Sequence, residues 1–68
     1  DPLAWLLSAA LARRMGVIER AQADIAEAMR RAPDDASVAL EAGRIALAAG
    51  LAPAARVAWE GAVRAQPD

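Results

Sequence analysis

The chain contains no cysteine and no histidine, and it also lacks lysine, tyrosine and phenylalanine. Without cysteine no disulfide can constrain the fold, and without cysteine and histidine the usual zinc-ligand sets cannot form. Nucleophilic catalysis also loses its commonest base and its thiol and amine nucleophiles. These absences predict a protein with no metal, no cofactor and no enzymatic activity.

The hydroxyl and carboxylate groups that remain have structural interpretations. Ser8 falls on an apolar helical stripe, where we expect its hydroxyl to bond back to its own helix. Asp34 and Asp35 precede Ser37 and are placed to accept N–H bonds at a helix start, although two adjacent carboxylates also resemble a cation site. Three acidic residues have an arginine four positions away on faces expected to be solvated: Asp24 with Arg20, Glu27 with Arg31, and Glu60 with Arg64.

Charge and hydropathy exclude two classes of partner. The net charge of −1 provides no basic surface for nucleic acid. No run of 18 apolar residues is present, which predicts no membrane span. Because the chain begins with Asp1, we expect it to be a fragment of a longer protein, cytoplasmic by default or periplasmic if an anchor or signal precedes it. All eight basic residues are arginine, which together with the many alanines indicates a GC-rich bacterial gene.

Helix formers dominate the sequence, and prolines and glycines divide it into four helix-sized segments. Gly16 and Gly50 each follow an apolar-periodic run, where a left-handed closing residue favours glycine. Pro2 and Pro53 suit a first helical turn. The predicted helices cover residues 2–15, 18–32, 36–49 and 53–66.

The segments repeat after 34 residues. The glycine, proline and aspartate matches are the hardest to attribute to composition; the full set pairs Asp1 with Asp35, Leu6 with Leu40, Ala12 with Ala46, Gly16 with Gly50, Ala21 with Ala55, Ala28 with Ala62, Arg30 with Arg64, Pro33 with Pro67, and Asp34 with Asp68. We therefore expect one domain over residues 1–68, made of repeats 1–34 and 35–68.

Each predicted helix carries one apolar stripe at helical spacing. In chain order the stripes are Ala4, Ser8, Leu11 and Met15; Ile18, Ala21, Ile25 and Ala28; Val38, Ala42, Ile45 and Ala49; and Ala52, Ala55, Trp59 and Ala62. Large residues opposite small ones would let neighbouring helices approach closely.

The repeat resembles the tetratricopeptide repeat, whose pattern has an aromatic residue early in helix A, then Leu-Gly, a later glycine, and Ala, aromatic, Ala and Pro through helix B. The matching residues are Trp5, Gly16, Ala21, Ala28 and Pro33 in the first repeat and Ala42, Gly43, Gly50, Ala55, Trp59, Ala62 and Pro67 in the second. The departures are Ser8, Ala9, Ala12 and Ile25 in the first and Ala39 and Ala46 in the second. The resemblance implies an all-α, right-handed solenoid of four antiparallel helices in two hairpins.

The resemblance also implies that helix A of each repeat lines a concave, protein-binding face. The positions on that face are Leu3, Leu6, Ala10, Arg13 and Arg14, and then Ser37, Leu40, Arg44, Leu47 and Ala48. Members of the family that bind chaperone tails use lysine and asparagine at positions held here by Leu6, Ala10, Leu40 and Arg44, so that activity is not implied.

Two interpretations of this face remain open. It can be a groove for a peptide or protein partner, with leucines as apolar anchors and arginines for an acidic group. Alternatively, the arginines are solvated and the leucines cover a neighbour, as in a homo-oligomer. Self-association is favoured by the apolar excess at both ends of the chain, which includes Leu3, Leu7, Leu51, Val57 and Val63.

Overall fold

A computed structural model describes residues 1–65 of the chain, apart from the side chains of Ala52 and Ala55. These residues form four α-helices and no strand: α1 (Pro2–Arg14), α2 (Ile18–Arg31), α3 (Ala36–Ala48) and α4 (Ala52–Ala65). Every helix boundary lies within one residue of its predicted place, and the all-α prediction is confirmed. The predicted breaker Pro67, with its match at Asp68, lies outside the described residues.

Aspartate side chains begin the first helix of each pair. The Leu3 N–H donates to Asp1 Oδ1 over 3.0 Å, and the Ser37 N–H donates to Asp35 Oδ1 over 2.8 Å. The Val38 N–H adds a second bond to Asp35 at 3.2 Å. A capping carboxylate satisfies N–H groups that have no partner inside the helix. Of the two aspartates predicted for the start of α3, Asp35 makes these bonds.

Glycines in the left-handed region end α1 and α3. Gly16 and Gly50 both have a φ of +80°, which side chains with a Cβ rarely adopt. The following residue then reaches back into the helix: the Val17 N–H donates to the Ala12 carbonyl at 2.9 Å, and the Leu51 N–H to that of Ala46 at 2.8 Å. Both ends therefore have the hydrogen bonding of a Schellman motif.

Consecutive helices are the main packing partners, α1 with α2 and α3 with α4. In the first helix pair (α1 and α2), Ser8 contacts Asp24 and Trp5 contacts Arg31, so the two helices run antiparallel. α3 also packs against α2 and, less extensively, against α1. This arrangement is compatible with the predicted helix hairpins, the second being α3 and α4 (the second helix pair).

Small side chains dominate the core. It contains Ile25, Val38 and Ile45, and the remaining members are four alanines: Ala9, Ala12, Ala21 and Ala28. Alanines let helix axes approach closely, and each buries little apolar area. The predicted stripe of α3 is confirmed, because Val38 and Ile45 are buried and Ala42 packs against the core.

The predicted stripe of α1 is wrong. Leu11 and Met15 are exposed, Ser8 is half-buried, and the buried residues of α1 are Ala9 and Ala12. The stripe was chosen by analogy with α3, which is covered by the first helix pair. No helix in the described residues covers the corresponding side of α1, so its core face is the one turned towards α2 and α3.

The two pairs use opposite size combinations at one packing position. In the second pair the indole of Trp59 lies against the backbone of Gly43, where an added Cβ would come within 2.5 Å of the ring Cδ1. The residues 34 positions earlier are Ile25 and Ala9, both buried in the core. A larger side chain on helix B is thus matched by a smaller one on helix A.

Candidate protein-interaction surface

The residues predicted for the partner-binding face lie on α1 and α3, but they are not equally free. Leu3, Leu47 and Leu40 are exposed. In contrast, Leu6 is half-buried and packs against the core, and Ala10 is partly covered. The remaining positions are the exposed Arg14, Ser37, Arg44 and Ala48 and the partly buried Arg13. The exposed part of the face therefore lies mainly on α3.

Arg13 is engaged by a residue that the sequence analysis did not identify. Its Nε is 2.5 Å from Oε2 of Glu41, which is buried in α3. Arg44 Nη1 lies 3.6 Å from the other carboxylate oxygen. A buried carboxylate requires compensation of its charge and hydrogen-bonding capacity, and the two arginines supply it. The pair ties α1 to α3. A glutamate inside the apolar stripe of α3 was the signal available in the sequence.

Ser8 and Asp24 form a second buried polar contact, and two predictions about them were wrong. The Ser8 hydroxyl donates to Asp24 Oδ2 at 2.6 Å instead of bonding back to its own helix. Asp24 is buried and not on a solvated face, although Arg20 Nε lies 3.7 Å from it as its spacing predicted. The contact links α1 to α2, and its chemistry is that of a satisfied structural carboxylate.

The carboxyl end of α2 carries a cluster of charge around one glutamate. Glu27 pairs with Arg31 at 2.9 Å, as predicted, and also contacts Arg30. The Arg31 guanidinium stands 5.6 Å from the centroid of the Trp5 ring, a cation–π distance. Within residues 1–65, the third predicted pair, Glu60 with Arg64, is not formed.

Exposed apolar side chains form a continuous stripe along the outer side of α1. Its members are spaced by four residues: Leu3, Leu7, Leu11 and Met15. A further set is exposed on α3, α4 and their connection: Leu47, Leu51, Val57 and Val63. The expectation of excess apolar surface at both ends of the chain is thus met. Contiguous apolar surface of this kind is typical of an interface.

A cavity of about 500 Å³ lies away from the predicted face, between α4 and the junction of α2 with α3. Met29, Val57 and Ala58 supply apolar walls, and Asp34, Asp35 and Arg64 supply charge at its rim. The sequence analysis did not anticipate it, because its walls come from three separate helices.

Two further classes of site were sought in the described residues. Within residues 1–65 no group of three or more acidic, histidine or cysteine side chains is placed to hold a metal ion. No helix in the same range combines the length and the apolar character needed to cross a membrane.

Comparison with family models, with curated proteins and with solved structures finds no match for this chain.

Proposed function

We propose that the chain is a solenoid segment of the tetratricopeptide kind that acts as a non-catalytic scaffold and binds a peptide or protein through the face formed by α1 and α3. The observation that carries the proposal is the exposure of Leu40, Arg44 and Leu47 on one side of α3. A row of two leucines with an arginine between them is not explained by contacts inside the chain, since the core side of α3 is the opposite one.

The repetition of local structure supports the solenoid part of the proposal. The first helices of the two pairs begin at Pro2 and Ala36, and the second at Ile18 and Ala52, so both shifts are 34 residues. The aspartate caps and the left-handed glycines repeat at the same interval. Stacked units of this kind present one helix of each unit to a shared face.

The chemistry of the face defines the class of ligand. Leu40 and Leu47 offer apolar anchors one heptad apart on one side of α3, and the exposed guanidinium of Arg44 lies between them. Arginine binds carboxylates through paired N–H groups. The ligand we propose is therefore a peptide with apolar side chains flanking an aspartate or glutamate.

Selection from a random peptide display library, followed by calorimetry with the selected peptide, tests the proposal. We expect enrichment of acidic, leucine-rich peptides, and a loss of about tenfold to a hundredfold in affinity for Arg44→Glu and for Leu40→Asp. Arg56→Glu and Val57→Asp are matched controls, because both residues are exposed on α4, outside the face. Equal losses in the controls, or no enrichment at all, would contradict it.

Self-association is a second candidate function, favoured by the apolar stripe on the outer side of α1. That stripe contributes nothing to the α3 part of the peptide face. Light scattering across a hundredfold range of concentration separates the two candidates, since peptide binding alone leaves the mass of the chain constant.

A further inference from the structure

The junction between the two helix pairs has an unmatched counterpart at each end of the chain. Inside the chain, Arg13 of α1 meets Glu41 of α3, and α3 rests on the first helix pair. The shift of 34 residues that relates Pro2–Arg14 to Ala36–Ala48 carries Arg13 to Leu47, and it relates Glu41 to Leu7. The charged pair thus corresponds to a pair of leucines.

The receiving side of this junction is buried on α3 and open on α1. Glu41 is 3% exposed and Ile45 is 2% exposed, because the first helix pair covers them. Their counterparts, Leu7 and Leu11, are 61% and 59% exposed. α1 therefore carries large apolar residues at the positions where α3 is covered.

The covering side shows the same relation. Arg13 is partly buried against α3, and Leu6 packs against the core that includes Ile45. Their counterparts on α3 are Leu47 and Leu40, and both are exposed, Leu47 to 54%. The second helix pair thus presents an apolar version of the surface with which the first pair covers α3.

Contacting residues change together under this shift. Inside the first helix pair Ser8 bonds Asp24 and Trp5 stacks with Arg31, and the corresponding pairs in the second are Ala42 with Ala58 and Ala39 with Ala65. A change on one side alone would leave a buried charge or polar group without its partner, which is strongly destabilising. The joint replacement of Arg13 and Glu41 by Leu47 and Leu7 follows the same pattern.

We propose that a second copy of this chain docks head to tail, so that the second helix pair of one copy covers α1 of the next as the first pair covers α3 within the chain. In this contact Leu47 of one copy lies against Leu7 of the next, and Leu11 becomes buried as Ile45 is. The occupant is a second copy because the two halves of the matched leucine pair are both present on this chain.

The geometry determines the kind of assembly. A head-to-tail contact joins two different surfaces, so each added copy leaves one free surface of each kind. The mass of the assembly therefore continues to rise with concentration and does not stop at a dimer. This inference rests on the second candidate function and is separable from peptide binding, because Leu7 and Leu11 lie outside the peptide face.

Sedimentation velocity of the full chain across a hundredfold range of concentration tests the contact. We expect an average mass that keeps rising, and a weakening of at least about tenfold in association for Leu7→Glu or for Leu47→Arg alone. Mixing the two variants, or combining both changes in one chain, should restore association to within about tenfold of the original, because the pair then reproduces Arg13 with Glu41.

The control is Leu51→Glu, which changes an exposed leucine whose counterpart, Val17, stays exposed at the internal junction. It should leave association unchanged, and circular dichroism should show full helicity in every variant. A chain that is monomeric at all concentrations would overturn the contact and leave the peptide proposal intact. A mass that stops at two copies, or failure of the mixed variants to associate, would overturn the head-to-tail geometry.

Discussion

The first helices of the two pairs, α1 and α3, have the same length, the same aspartate cap and the same glycine ending, yet they are buried on different sides. α3 buries Val38, Glu41 and Ile45 against the helices that precede it. α1 leaves the matching side in solvent and is covered only where it meets α2 and α3. The difference shows that local sequence specifies where a helix begins and ends, whereas neighbouring helices decide which side of it is core.

The strongest way to sharpen this comparison is to shorten the same position in both helices. Ile45→Ala should lower the free energy of unfolding by about 2–4 kcal/mol, because it leaves a cavity between the helix pairs. Leu11→Ala should change it by less than about 0.5 kcal/mol at concentrations where the chain is monomeric. Urea unfolding measures both. Since a domain of this size is stable by only about 3–5 kcal/mol, trimethylamine oxide should be present to keep the Ile45 variant folded.

Removing one half of the buried charge pair has the next largest effect. Arg13→Ala should destabilise the chain by about 2–3 kcal/mol, less than a fully buried pair would lose, because Arg44 remains near Glu41. The double variant Arg13→Leu with Glu41→Leu copies the leucine pair of the shifted position. Its stability should lie within about 1 kcal/mol of the original or above it, since apolar replacement of a buried pair is often neutral or favourable. A double variant less stable than Arg13→Ala would contradict the correspondence.

The contact of Trp59 with Gly43 can be converted to the combination used in the first helix pair. Gly43→Ala should cost about 1–3 kcal/mol, because the new methyl group would come within 2.5 Å of the indole Cδ1. Adding Trp59→Ile should recover most of that loss, since it recreates the combination of Ala9 with Ile25. Gly61→Ala is the control: nothing lies within 4 Å of its Cβ position, and it should stabilise the helix by about 0.5–1 kcal/mol in thermal unfolding.

The two helix ends should respond alike to the loss of glycine. Gly16→Ala and Gly50→Ala should each cost about 1–2 kcal/mol, because both positions have a φ of +80°. Replacement by asparagine should cost less, since asparagine tolerates this conformation better than alanine. Unequal losses for the two glycines in urea unfolding would break the equivalence of the two ends.

The smallest expected effect concerns the start of α3. Asp35→Ala should cost about 1 kcal/mol, because the carboxylate accepts the N–H groups of Ser37 and Val38. Asp34→Ala should be close to neutral, since Asp35 is the residue that caps the helix. Thermal unfolding monitored by circular dichroism separates the two, and an equal loss at Asp34 would show that the cap is shared.

Helix positions were predictable from this sequence because the signals are local. Asp1, Asp35, Gly16 and Gly50 act within a few residues of their own position. The stripe of α3 was predictable for a related reason, since a period of 3.6 residues identifies one apolar side. On α1 the same rule selected the wrong side, because that helix is apolar on more than one and sequence period alone does not say which is covered.

The polar contacts of the candidate surface were out of reach for a different reason. Arg13 and Glu41 are 28 residues apart, and Ser8 and Asp24 are 16 apart, so both contacts depend on the packing of separate helices. Ion pairs within one helix follow from spacing, and Glu27 with Arg31 was found in that way. The uneven exposure of the partner-binding face has the same origin, since burial of Arg13 and Leu6 follows from the position of α3.

Because the chain has no cysteine, a single introduced thiol reports the exposure of one position, and this gives the most direct test of the account. The rate of thiol labelling should be compared for Ile45→Cys and Leu11→Cys as the concentration of the chain is raised. We predict that the thiol at 45 is protected throughout, whereas the thiol at 11 reacts rapidly in dilute solution and becomes protected as copies dock. Rapid labelling at both positions, or labelling at 11 that does not depend on concentration, would contradict the account.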